Sequence, residues 1–268
     1  MLLAKSLYLL GRQTPDPRSA MRSLLTPQGL GRAWQLKRMY PDCWRWMLCS
    51  ERVEGFLSLA EADQLYRLAR DFTPQVKPVV VEIGSWKGKS SIMLAAGLMG
   101  KTQPRLFCVD TFSGDEDPEY QRKYYAALME RDPRDLEKTF RSNIRSCGLQ
   151  HIAEPLKGYS FDRCRGWQQP IDLLFIDANH EYPAVLRDFE DWSPFVKEGG
   201  VVAFHDVGGC YPGPIRVVAE KLKSPAFGPV SAIDTLAWAI RGTAQGEDHR
   251  RSARAPFRQA LGACACEG

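Results

Sequence analysis

The chain has 268 residues, 44% of them hydrophobic, enough for one large α/β domain with a real core plus appendages, and no run is long enough to cross a bilayer as a helix. Its formal net charge is +4, and the excess is local: residues 1–50 carry Lys5, Arg12, Arg18, Arg22, Arg32, Lys37, Arg38 and Arg45 against only Asp16 and Asp42, leaving the remainder slightly acidic. The eight cysteines are scattered, with Cys108 inside a predicted strand, which argues against a disulfide scaffold and for a reduced, cytoplasmic protein.

The first ten residues are apolar but few, and without a small-residue cleavage site they do not read as a signal peptide. Residues 1–53 read as a basic and aromatic N-terminal helical extension. Between Trp34 and Trp46 it mixes Arg and Lys with Trp34, Tyr40, Trp44 and Trp46. The first reading is a helical lid on the main domain with its basic residues solvated. Peripheral membrane contact through residues 30–48, an anionic substrate and nucleic acid are the alternatives, and nucleic acid is not expected as a partner. Residues 56–72 carry a helix pattern, with Ser58 and Glu61 as a capping box and Leu65, Leu68, Ala69 and Phe72 on one face. Pro74 and Pro78 end it.

Residues 79–91 organise the rest. Val79, Val80 and Val81 predict a buried strand, Gly84 and Gly88 open a turn, and a helix follows from Ser90. Strand, glycine turn and helix form the first half of a nucleotide-binding βαβ unit. A carboxylate at Glu82 would repel a phosphate held at a helix N-terminus. It suits an ammonium instead, which S-adenosylmethionine carries. Gly84 and Gly88 would let the backbone approach the methionine portion. The order Gly84-Ser85-Trp86-Lys87-Gly88-Lys89-Ser90 is one residue short of a phosphate loop, which leaves an NTP-binding protein as a rival reading.

A second strand over 105–109 ends in Asp110, an acid placed to accept both ribose hydroxyls. Residues 111–118 read as a loop, with helices over 119–131 and 133–147, the second closed by Gly148. A strand over 151–156 leads to a turn at Tyr159 and Ser160, where an adenine would rest. The strand 171–176 ends in Asp177, followed by Ala178, Asn179, His180 and a helix over 183–195. Gly199-Gly200 turns into a strand over 201–204 that ends in His205 and Asp206. Ligands in open α/β sheets sit outside the carboxyl ends of the strands. Glu82, Asp110, Asp177, His205 and Asp206 all fall there, and a core would not tolerate five such groups unpaired. Residues 243–268, with Arg250, Arg251 and Arg254, read as a disordered tail. Cys264 and Cys266 in it read as inert, ahead of a metal or redox pair.

Val-Glu-Ile-Gly-Ser-x-x-Gly-x-Ser-Ser, Val-Asp-Thr-Phe, Phe-Ile-Asp-Ala-Asn-His-x-Tyr and Gly-Gly-x-x-x-x-His-Asp together resemble the class I S-adenosylmethionine-dependent methyltransferases, in a bacterial branch related to catechol-type and antibiotic-sugar O-methyltransferases. The resemblance covers residues 54–242. It implies a Rossmann-like, doubly wound α/β fold with seven strands in order 3-2-1-4-5-7-6, strand seven antiparallel, the final pair lying at 229–233 and 235–241. It implies Glu82, Gly84, Ser85, Gly88, Ser90 and Asp110 as cofactor contacts, with Thr111 and Asp177 beside them and Tyr159 or Ser160 near the adenine. The expected reaction is methylation of a hydroxyl on a small molecule or sugar. In metal-dependent members of the group, acids after strands four and five hold a divalent cation. Here Asp177, His205 and Asp206 would hold Mg²⁺ or another divalent ion. Alternatively His180 or His205 is a general base, or His205 only bonds Asp206 and shapes the loop. The acceptor and the oligomeric state, a homo-oligomer included, stay open.

Overall fold

The computed structural model describes residues 26–113, 135–208 and 211–242. The expected helix over 119–131, the C-terminal tail and Cys264 with Cys266 lie outside the described residues. In chain order the strands are β1 Val79–Ile83, β2 Arg105–Asp110, β3 Ala153–Lys157, β4 Ile171–Ile176, β5 Val196–Phe204, β6 Ser231–Ile233 and β7 Leu236–Ile240. They form one sheet in the order β3-β2-β1-β4-β5-β7-β6. Only β7 runs antiparallel to its neighbours β5 and β6. This is the doubly wound α/β sheet that the motifs imply.

The helices are α1 Pro27–Met39, α2 Trp44–Glu51, α3 Leu59–Asp71, α4 Lys89–Gly97, α5 Leu136–Ser146, α6 Ser160–Arg163, α7 Tyr182–Trp192 and α8 Pro212–Val217. Alternation along each strand divides the sheet's side chains between two cores. Val80, Leu106, Cys108, Leu173, Phe175, Val201 and Ala203 face α3, α4 and α5. Val81, Ile83, Phe107, Val109, Leu174, Ile176, Val202 and Phe204 face α7 and α8. The first core also takes in Leu36 of α1 and Met47 and Leu48 of α2. The N-terminal helices therefore bury side chains in the same apolar cluster as the sheet. Leu36 is fully buried, so Leu36→Ala is expected to cost about 2–5 kcal/mol, read from the denaturant midpoint. A loss below half a kcal/mol would mean that α1 does not dock.

The local signals act where expected, with shifted ends. Ser58 accepts a hydrogen bond from the Glu61 N–H at 3.1 Å, and Glu61 accepts one from the Ser58 N–H at 2.8 Å, so the capping box forms. The helix it starts, Leu59–Asp71, is shorter than the pattern at 56–72, because the cap at Ser58 sets its first turn and leaves Phe56 and Leu57 outside it. The last turn of the helix expected over 183–195 is a separate 3₁₀ turn, Ser193–Phe195. The fifth strand starts five residues earlier than expected. Gly199 and Gly200 lie within β5, where the pairing with β4 shifts between Ile171 and Leu173. A bulge, rather than a turn before the strand, absorbs them. No helix among the described residues is long and apolar enough to cross a membrane.

Candidate active site

At the carboxyl ends of β1, β4 and β5 lies an open cavity, with about 550 Å³ of empty space when the solvent at its mouth is counted. Gly84, Ser85, Trp86 and Ser90 form one wall and Asp177, His180, His205 and Asp206 another. A third wall comes from Gly55, Phe56 and Leu57, between α2 and α3. The expected site residues Glu82, Gly88, Asp110, Thr111, Tyr159 and Ser160 do not line this cavity.

Glu82 corrects the simplest expectation, a carboxylate facing an ammonium. The pleat of β1 turns it toward the first turn of α4, where it is fully buried. Its carboxylate accepts hydrogen bonds from Ser85 at 2.8 Å, Ser90 at 2.6 Å and Ser91. Ser85 and Ser90, which do reach the cavity wall, stand between the acid and any ligand. Burial raises the Glu82 pKa to about 7, against the pull of three hydroxyl donors, and the nearby Asp177 charge adds to the rise. An acid whose pKa is raised on folding penalises the native state once it ionises. Stability should therefore fall from about pH 4.5 through pH 7, by up to about 3 kcal/mol from this group. Glu82→Gln should flatten that slope in urea titrations taken at several pH values. An unchanged slope would show that Glu82 ionises as freely folded as unfolded.

The glycines make room for protein rather than ligand. At Gly84 (φ +88°) a Cβ would lie 2.1 Å from the Asp177 carbonyl oxygen, so the loops after β1 and β4 touch only because no side chain intervenes. At Gly88 (φ +88°) a Cβ would meet the Phe140 ring at 3.0 Å. Lys87 and Lys89 both turn toward the N-terminal segment. Lys87 pairs with Glu54 at 2.8 Å, and the Lys89 ammonium donates to the carbonyls of Ser50 and Val53 at 3.2 and 3.0 Å. A phosphate loop needs its lysine on the phosphates, and here that position is committed to backbone carbonyls.

Asp110 ends β2 beside this loop. It accepts the N–H of Trp86 at 2.7 Å and of Phe112 at 2.6 Å. Both donors have positive φ, 42° and 52°, a conformation non-glycine residues rarely adopt. Burial raises the Asp110 pKa, opposed by these N–H bonds and one from Ser85. Thr111 accepts a bond from the Ser113 hydroxyl at 2.9 Å. The Asp110 carbonyl accepts the Gly158 N–H at 2.9 Å, which brings the start of α6 alongside. There Tyr159 is half exposed and stacks on Phe161 at 5.0 Å. The Ser160 hydroxyl donates to the buried Asp188.

Asp177, His180 and Asp206 converge. Each offers one ligand atom, and these atoms lie within 4.8 Å of one another. His180 Nε2 is 3.0 Å from Asp206 and 3.9 Å from Asp177, and its ring stacks on Tyr211 at 4.3 Å. His180, rather than the expected His205, completes the set. His205 lies behind it, buried. Its Nδ1 is 3.3 Å from Asp177 and 3.5 Å from Asp206, and its Nε2 is 3.3 Å from Glu61. Burial opposes the charge on His205, yet the surrounding carboxylates raise its pKa well above the usual value. An imidazolium with both nitrogens directed at carboxylates neither ligates a cation nor accepts a proton. Two carboxylate oxygens and one imidazole nitrogen are donors suited to a divalent ion such as Mn²⁺ or Mg²⁺, so the residues present fit one.

Glu61 is the functional group that the sequence pattern hides. It reads as a helix cap, and it is one. The same carboxylate also accepts the Thr235 N–H at 2.8 Å and its hydroxyl at 2.7 Å. Burial would raise its pKa, but His205, Thr235 and the Ser58 N–H hold it down at about 2.

Residues 81–207 match a family model described as a methyltransferase domain. An uncharacterized protein of Acanthamoeba polyphaga mimivirus is 35% identical over 75 residues, which are 26% of this chain and 32% of that protein. An uncharacterized protein of Sinorhizobium fredii is 30% identical over 135 residues, 47% of this chain and 13% of that one. The matches thus span a third or less of these curated relatives. Among solved structures, an O-methyltransferase from Bacillus cereus in complex with SAH superposes with a TM-score of 0.52 at 17% identity, covering 84% of this chain and 96% of that one. The O-methyltransferase TomG from Streptomyces achromogenes, in complex with SAM, gives 0.50 at 20% identity, covering 82% and 94%. At these identities the superpositions speak for the fold.

Proposed function

With residues 81–207 belonging to the methyltransferase-domain family, we propose that this protein moves a methyl group from S-adenosylmethionine to a hydroxyl of a small molecule or sugar. The observation that carries the reading is the meeting, in one cavity, of the Gly84–Ser90 loop with Asp177, His180 and Asp206. On this reading the methionine portion lies against Ser85, Trp86 and Ser90. The ribose reaches toward Asp110, and the adenine toward Tyr159 and Ser160. Phosphate would meet no free lysine on the loop, and the buried Glu82 lies directly beneath it.

The acceptor hydroxyl then lies toward Asp177, His180 and Asp206, with Phe56, Leu57 and Trp86 limiting water. The sulfonium is already a good leaving group, so holding acceptor oxygen, methyl carbon and sulfur in line supplies much of the rate. Asp177, His180 and Asp206 would hold a divalent cation, which when bound supplies Lewis-acid polarisation of the hydroxyl. Without one, the Nε2–H of His180 is held on Asp206, 3.0 Å away, and the other ring nitrogen, Nδ1, takes the hydroxyl proton, leaving an imidazolium that Asp206 favours. A cation needs Nε2 without its proton and the base needs it protonated, so the two roles exclude each other.

Calorimetry with S-adenosylmethionine and with ATP·Mg²⁺ tests the cofactor: binding of the first alone is expected, and tight ATP binding alone would overturn the assignment. An acceptor screen with labelled cofactor, with and without EDTA, then separates cation from base.

A further inference from the structure

We infer that the outer face of α1, with Arg45 at the start of α2, is a docking surface for an anionic lipid bilayer. The inference does not depend on the methyl-transfer reading. The inner face of α1 buries Leu36, whereas Leu30 is 58% and Trp34 65% exposed. Four residues apart, these two lie on one helix face, and Lys37 and Arg38 continue it one turn on. Met39, 53% exposed, ends the helix. Soluble surfaces carry single exposed apolar residues routinely, but an aromatic and an aliphatic side chain in line with cations is the pattern of an interfacial helix.

The charge on this face is of one sign. Between Asp16 and Asp42 there is no acidic residue. Asp42 itself is paired with Arg70 at 2.8 Å, and Glu51 with Arg32. Lys37, Arg38 and Arg45 are exposed, and among the described residues no carboxylate pairs with them. That complements anionic headgroups, and it disfavours a second copy of this chain, whose equivalent face would repel it.

A nucleic acid fits less well. Sequence-tolerant nucleic-acid binding stacks bases on open aromatic faces. Here Arg38 lies over the Trp34 ring at 5.7 Å, and Lys37 and Arg45 over the Trp44 ring at 6.0 and 5.5 Å. The rings back the cations, and Leu30 and Met39 add aliphatic surface that bases do not use. Beyond α2 the chain runs directly into the Gly55–Leu57 wall of the cavity. Docking surface and cavity wall thus belong to one continuous stretch, so a protein held at a bilayer by α1 would work close to lipid-soluble acceptors.

The test is cosedimentation of the full chain with vesicles of phosphatidylcholine alone and of phosphatidylcholine mixed with phosphatidylglycerol. Binding is expected to the mixed vesicles only, and to fall as salt is raised. Lys37→Glu with Arg38→Glu should reduce it at least about tenfold, and Trp34→Ser by about threefold. Both variants alter exposed side chains, and melting curves matching the parent confirm that they fold. Absence of binding to the mixed vesicles overturns the inference. So does binding undiminished in both variants, which would assign it to another part of the chain, residues 1–25 included. Binding of single-stranded RNA in place of vesicles, lost in the charge-reversed variant, also overturns it and gives the face to nucleic acid.

Discussion

Asp206→Asn is expected to lower the turnover number by about 10²–10⁴-fold while cofactor affinity stays within about threefold. Asp206 has φ +57°, a left-handed conformation that Asn tolerates as well as Asp, so the backbone should keep its course. Only the charge goes. Burial would favour a neutral acid, but bonds from His180 and His205 hold the Asp206 pKa well below the usual carboxylate range, so it is an anion at neutral pH. As a cation ligand or as the partner of a His180 base, it acts through that negative charge. Titration of cofactor by calorimetry and single-turnover kinetics on the same preparation separate binding from chemistry. Wild-type turnover in the variant would remove both proposed roles. Wild-type protein that stays fully active in EDTA would leave the base alone standing.

Glu61→Ala should destabilise the fold by about 3–5 kcal/mol, the usual result of removing one partner of a buried ion pair. The loss has several parts. The Thr235 N–H and hydroxyl, the Ser58 N–H and one nitrogen of a buried imidazolium all lose their acceptor together. Glu61→Gln keeps the shape and an acceptor oxygen, and should cost about 1–3 kcal/mol. The pH dependence follows from the depressed pKa. A carboxyl at about 2 in the folded chain, against 4.5 unperturbed, contributes its stability fully above pH 4.5. That contribution, about 3 kcal/mol, is lost as pH falls from there toward 2. The gap between wild type and Glu61→Ala in denaturant midpoint should narrow over the same window. A gap independent of pH would mean that Glu61 acts through packing and not through charge.

These two residues mark the limit of what sequence alone resolves. Strands β1, β2 and β4 are legible because β-branched and apolar runs between turn residues are local signals. The Ser58–Glu61 cap is legible because its partners are three residues apart. Asp177 and Asp206 are legible as site acids because strand ends are where a sheet of this kind exposes polar groups, and the motifs around them carry the sheet order with them.

Which way a strand-end side chain turns, and what covers it, is decided only by the assembled sheet. Val201, Ala203 and His205 alternate onto the face that α3 covers, so the ring of His205, at the back of the cavity wall, is directed at Glu61, 144 residues earlier in the chain. His180, just after β4, takes the vacant place beside Asp177 and Asp206. Glu82 follows Val80 onto the α4 face, so its charge reaches the cavity only through Ser85 and Ser90. Lys87, Lys89 and the Gly55–Leu57 wall depend on the N-terminal helices packing against α4. Residue type and spacing determine that strands end in acids above a glycine turn. Tertiary packing decides which of those groups faces a ligand, because the pleat gives each residue one of two sides and only long-range contacts say which side is open.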